Sequence, residues 1–177
     1  MYNIPNLQKQ NRYSRSSAVN YALTYGLNPN PNYRYFKLIN DNGGDCSNFI
    51  SQCLLAGGAA MEFNTSRPWW YRHGTTILKD TWSLCWATAH SLYYYLRVNA
   101  EKNSPYAKGV ETNSAENLEP GDLIFFQDEK GRMFHSCIVT NLFMGEILVT
   151  QHTYDAVNIP YQRSYPVFKY HYVKIVI

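Results

Sequence analysis

Cys46, His135 and a polar residue one strand further on are placed where they could do covalent chemistry together. Cys46 follows a Gly43-Gly44-Asp45 turn and opens the segment CSNFISQCLLAGG, in which Cys46, Phe49, Ile50 and Cys53 recur at i, i+3, i+4 and i+7. A thiol in the first turn of a helix feels free amides and the positive end of the dipole, which favour the thiolate over a thiol of pKa about 8.5. The same amides can hold an oxyanion. Asp45 reads as the helix N-cap, its carboxylate engaged by those amides and so tolerated beside a thiolate.

A thiolate nucleophile also needs a base, and the base needs a group that orients it. His135 opens the apolar run HSCIVT, and His152 closes ILVTQH. If the two runs form a hairpin with an even loop centred between Phe143 and Met144, His135 pairs with His152 on one face. An odd loop moves the pairing by one and brings Gln151 or Thr153 to His135 instead. Either way a polar side chain can hold the imidazole in one tautomer, the third role in a cysteine triad.

The remaining candidates read more plainly. Cys53 and Cys85 keep helical register with apolar neighbours and read as core. Cys137 shares strand parity with His135 and reads as a small residue under the site. His73, His90 and His171 have no evident partner in sequence and read as surface residues. No CxxC or CxxH spacing suggests zinc, the four cysteines are too widely spaced for a disulfide scaffold, and no metal or cofactor is expected. In the irregular run RPWWYRHG, Trp69, Trp70 and Tyr71 read as a substrate-binding wall, because adjacent indoles in a loop do not both bury easily. Trp82 and Trp86, one helical turn apart, read as core.

These residues need elements to position them. Ala18, Tyr21, Ala22 and Tyr25 give a helix over 14–25, stopped by Gly26, before an Asn- and Pro-rich loop over 28–32. The nucleophile helix runs over 46–56, and a third helix over 81–98, where Cys85, Ala89, Leu92 and Leu96 share a face. The polar stretch 99–119 reads mostly as loop. Strands follow over 123–127, 133–140, 146–152 and 167–177. Helices first and an antiparallel sheet second argue an α+β class.

The whole chain sets bounds. With 177 residues it reads as one domain, 1–177. Hydrophobic residues make up 45% and charged residues 16%, which excludes a disordered chain, and 16 tyrosines occupy much of the room that charge usually takes. The net charge of +3 is scattered, which argues against a nucleic-acid stripe. No run approaches a membrane span, and MYNIPNLQKQ lacks the pattern of a signal peptide, so the chain reads as soluble.

The motifs DCSNFISQCLLAGG, GDLIFF and HSCIVT together resemble the amidase-domain family, relatives of the bacterial NlpC/P60 and CHAP cysteine amidases and peptidases. YSRSSAVNYALTYGLNPNPNYRYF and the WWY and WSLCW segments extend the resemblance over nearly the whole chain. It implies a papain-like core with the nucleophile helix on a small antiparallel sheet, Cys46 as nucleophile, His135 as general base and His152 at the third polar position, with Gln151 and Asp155 close by. It further implies a cysteine amidase or peptidase on peptidoglycan peptide or a related amide, in the bacterial cell envelope or secreted. A peptide- or glycan-binding module on the same scaffold, and an acyltransferase or transpeptidase, are the alternatives.

Overall fold

The computed structural model describes residues 13–39, 42–163 and 166–177. The opening run MYNIPNLQKQ, read above for a leader, lies outside them. The elements are α1 (Arg15–Tyr25), β1 (Leu38–Ile39), β2 (Asn42–Gly43), α2 (Cys46–Ala56), β3 (Tyr71–Arg72), β4 (Thr81–Trp82), α3 (Leu84–Ala87), α4 (Ala89–Glu101), β5 (Lys108–Thr112), β6 (Leu123–Gln127), β7 (Met133–Phe143), β8 (Glu146–Gln151), β9 (Ala156–Pro160) and β10 (Lys169–Val176). The fold is α+β. Strands β5 to β10 form one antiparallel sheet in the order β5-β10-β6-β7-β8-β9.

Alternation in the sheet divides its apolar residues between two faces. Leu123, Phe125, Ile138 and Val173 meet the helices in the main core, with Phe49, Ile50, Leu92 and Leu96. Ile124, Phe126, Cys137, Val139 and Val149 form a smaller core on the other face. The Asp122 of GDLIFF is wholly buried, where its carboxylate accepts from Arg15 at 2.6 Å and from the Ile175 amide at 2.9 Å. That motif ties α1 to the sheet.

Helix α2 lies at the centre, and every residue from Cys46 to Leu54 is buried, polar ones included. Buried polar groups require partners. Aromatic side chains supply them: Trp86 donates to Asn48 Oδ1 at 2.7 Å, Trp69 to Ser51 Oγ at 3.0 Å, and Tyr21 to Gln52 Oε1 at 2.7 Å.

Two expectations change in this region. The single helix over 81–98 is instead the two-residue strand β4, the one-turn helix α3 and α4, the last two parted because Thr88 is extended (φ −125°, ψ 136°). The break lets Trp86 reach Asn48 while Leu92 and Leu96 still face the core. The loop over 99–119 contains β5, and β9 follows β8. Both are edge strands, which take hydrogen bonds on one side only, and Pro160 is tolerated in β9 for that reason.

Candidate active site

Three segments converge on Cys46. The Gly43-Gly44-Asp45 turn delivers it to the first turn of α2, and Gly44 sits at φ +101° with its missing side chain facing Thr153: a Cβ there would lie 2.7 Å from Thr153 Oγ1. Thr153 Oγ1 in turn accepts from the Asp45 amide at 2.7 Å. Strand β7 brings His135 and Ser136, and Ser136 Oγ lies 3.1 Å from Ser47 Oγ.

Cys46 Sγ lies 3.8 Å from Ser47 Oγ, and His135 and the Ser136 backbone stand close enough to act on the thiol as well. Burial alone would push the thiol up. His135, Ser47 and Ser136 outweigh it, and Cys46 is held below the ordinary thiol value. The other three cysteines go the opposite way: burial pushes Cys85 up to about 11 and Cys137 up to about 12, and raises Cys53 well above the usual range.

The far side of His135 is held by Gln151, whose Oε1 lies 2.9 Å from His135 Nε2. That amide can be oriented one way only. Its Nε2 donates to the Tyr154 carbonyl at 2.9 Å, and Arg163 donates to its Oε1. Oε1 therefore accepts from His135, the imidazole carries its proton on Nε2, and Nδ1 is left for the thiol.

His152 does not meet His135, contrary to the even-loop expectation. The turn itself is even: Phe143 pairs with Glu146 around a two-residue loop, Met144-Gly145, with both residues at positive φ. Extended without interruption, that register would put His152 opposite Cys137, on the face of His135. Thr140 is the extra residue of a β-bulge, however, so Ile138 pairs with Thr150 and Gln151 comes to the face of Cys137 and His135. The bulge does what an odd loop would have done.

His152 is turned the other way. It is 1% exposed, with Nδ1 2.5 Å from Asp45 Oδ2, Nε2 2.8 Å from the Tyr25 carbonyl and its ring stacked 3.9 Å from Phe49. An acceptor at each nitrogen favours the imidazolium, paired with the Asp45 carboxylate. Burial disfavours that charge, but Asp45 and the Tyr25 carbonyl outweigh it and raise His152 above its ordinary value.

Asp45 is thus not an N-cap in the expected sense. Its backbone is already helical (φ −97°, ψ −1°), and its side chain accepts from the Phe36 amide and the Asn48 side chain, both at 2.8 Å, as well as from His152. The Asp45 side chain makes no cap to the leading amides of α2. Asp155 stands apart from His135, accepting from Tyr35 Oη and the Thr153 amide, both at 3.1 Å.

Cys46 and His135 open on a groove of about 650 Å³, whose other walls include Gly44, His90, Phe134 and Tyr154. The expected aromatic wall is not there. Trp69 is wholly buried on Ser51, and Tyr71 is 3% exposed, accepting from the Arg34 amide at 2.9 Å and donating to Asp80. Trp69 is core because its indole N–H serves Ser51 of α2, and Tyr71 because its hydroxyl joins the Arg34 amide to Asp80. Trp70 alone of the three faces a cavity, a separate one.

The minor histidines also differ from expectation. His171 is buried between Glu111, Tyr93 and Gln127, and His90 is half-buried, its Nδ1 accepting from the Met133 amide at 3.3 Å. His73 remains exposed, near Asp80. His90 and Arg163 reach the site in ways their spacing did not announce, since each depends on contacts across different elements, and Thr153 serves the Asp45 amide rather than His135. Among the described residues no group of three His, Cys, Asp or Glu side chains is arranged to hold a metal ion, and no helix is long and apolar enough to cross a membrane.

Fold and site together define an α+β protein with a pKa-lowered thiol, a histidine on it and a glutamine fixing that histidine, at the edge of an open groove. Residues 12–174 match the family described as "Putative amidase domain", and the chain belongs to that family. The description assigns the family to amide hydrolysis. The chain is 38% identical over 149 residues to uncharacterized protein YhbB of Bacillus subtilis (strain 168), covering 82% of this chain and 43% of that protein. It is 27% identical over 148 residues to uncharacterized protein YjcM of the same organism, covering 84% of this chain and 32% of that protein. It therefore spans less than half the length of these two relatives. No solved structure matches it.

Proposed function

We propose that this chain is a cysteine-dependent amide hydrolase of papain-like type, acting on peptidoglycan peptide or a related amide, with Cys46 as nucleophile, His135 as general base and acid, and Gln151 in place of His152 as the residue that orients the base. The observation that carries this reading is that Cys46 and His135 line one groove, with Gln151 bonded to the far nitrogen of His135 and its amide orientation fixing the imidazole tautomer.

His135 Nδ1 takes the thiol proton, and the thiolate attacks the amide carbonyl. The Cys46 backbone amide, at the start of α2 and not capped by Asp45, donates to the oxyanion. Collapse of the tetrahedral intermediate breaks the C–N bond as His135 returns its proton to the leaving amine. Water, deprotonated by His135, then cleaves the thioester and restores the thiol. A positioned base contributes about 10²–10⁴-fold and one oxyanion donor about 10²–10³-fold. The resemblance to the cell-wall amidases and the open groove beside Cys46 support a peptide-sized substrate.

The test is Cys46→Ala beside the wild type on peptidoglycan and short D-amino-acid peptides. Hydrolysis by the wild type and its loss in the variant are expected; hydrolysis that persists in the variant overturns the reading. Adding a competing amine and analysing products separates hydrolysis from acyl transfer.

A further inference from the structure

A second cavity, of about 510 Å³, lies beyond the groove of Cys46 and His135, and the two share His90 and Ser91 in their walls. Its other walls include Trp70, Leu84 and Tyr94. We infer that this cavity is the specificity subsite of the enzyme proposed above, on which the inference rests: it takes the apolar or aromatic side chain of a substrate residue within two positions of the scissile amide.

Its surface is built for such a group. Leu84 is 72% exposed and Tyr94 42% exposed, open apolar side chains on adjoining helices, with the half-buried Trp70 just before β3 and opposite Ser83. Trp70 is held in place rather than loose. Its amide donates to Ser83 Oγ at 3.1 Å, its carbonyl accepts from the Ser83 amide at 3.0 Å, and the Arg72 guanidinium lies 5.0 Å from its ring centre and 4.9 Å from that of Phe63. A rigid indole binds an apolar group with little ordering cost.

Continuity with the groove decides what occupies it. His90, Ser91 and Tyr94 stand on one stretch of α4, and the four steps from His90 to Tyr94 rise about 6 Å along the axis. Extended peptide advances about 3.4 Å per residue, so that rise spans about two substrate residues. His90 marks the junction. Its Nδ1 is occupied by the Met133 amide, so its proton sits on Nε2, which is the donor it can offer a passing peptide carbonyl.

The test uses N-acyl peptide amides that differ in one residue near the scissile bond, Gly against Leu and Phe, on the wild type and on Leu84→Glu and Trp70→Ala. Leu and Phe substrates are expected to exceed Gly by about 10- to 100-fold in kcat/KM, from burial of one such side chain. Both variants are expected to lose that preference while iodoacetamide alkylates Cys46 at the wild-type rate, which reports an intact nucleophile. The Trp70 indole N–H resonance supplies a second readout, shifting with N-acetylphenylalaninamide but not with N-acetylglycinamide. Hydrolysis with no apolar preference and no Trp70 shift overturns the subsite and leaves the hydrolase. A Trp70 shift that Leu84→Glu abolishes, with no hydrolysis of any substrate, keeps the cavity as an apolar-group site and overturns the hydrolase.

Discussion

The Cys46 proton is pulled two ways, up by burial and down by His135, Ser47 and the Ser136 backbone, and the downward pull wins. A thiol held below its ordinary value keeps its thiolate as pH falls. Iodoacetamide should therefore alkylate Cys46 at pH 6 well ahead of Cys53, Cys85 and Cys137, and His135→Ala should move the midpoint of the rate profile to higher pH. A profile unchanged in His135→Ala would show that the histidine does not act on this thiol. Gln151 acts one step further out, on the tautomer and angle of the ring. Gln151→Ala leaves His135 without its acceptor, and a loss of about 10- to 100-fold in kcat with little change in KM is expected, the scale of one lost hydrogen bond to a charged group. Steady-state kinetics on any substrate turned over by the wild type checks it.

At the scale of elements, the site is a matter of register and turn geometry. Gly44 combines a positive φ with a close approach to Thr153, and a side chain there meets both at once. Gly44→Ala should destabilise the fold by about 2–3 kcal/mol through backbone strain and steric conflict. It should also slow Cys46 alkylation more than an equally destabilising change in α4, since the turn sets the thiol; equal slowing would count against that view. The elements that the sequence discloses best are those with strong local signals: α2 begins at Cys46 and ends at Ala56 as its periodicity and Gly57-Gly58 indicate, and β6 matches its run of apolar residues. What escapes is set by distant contacts. The bulge at Thr140, whose hydroxyl meets Thr150 at 2.9 Å and Asn158 at 2.8 Å, has no local mark, yet it decides between Gln151 and His152. Trp69 and Tyr71 look like binding residues in isolation, because their need to satisfy Ser51 and the Arg34 amide is visible only once α2 is surrounded.

Across the whole molecule, the Asp45–His152 pair joins three parts that are far apart in sequence: the end of α1 at Tyr25, the start of α2, and the chain leaving β8. It is buried and charged, and removing one partner of such a pair costs about 3–5 kcal/mol. Its pH dependence has a definite sign. His152 is raised above its ordinary value in the folded protein, so its contribution is full below about pH 6.5 and is lost as pH rises through the folded value. Glu111, which His171 and Tyr93 hold below its ordinary value in spite of burial, and Asp80, which Tyr71 and the Gly74 amide hold down likewise, act in a separate window, losing their contributions only in acid. The His152 contribution to Tm should therefore fall between about pH 6.5 and its folded value, while the lowered Cys46 thiol adds stability in the opposite sense as pH rises through its own folded value. His152→Gln should melt lower at pH 6 and show a flatter profile over that interval, so that the two proteins converge on the alkaline side. Parallel Tm profiles for the two proteins would mean that the ring is neutral in the fold, and that Asp45 is held by its amide donors alone.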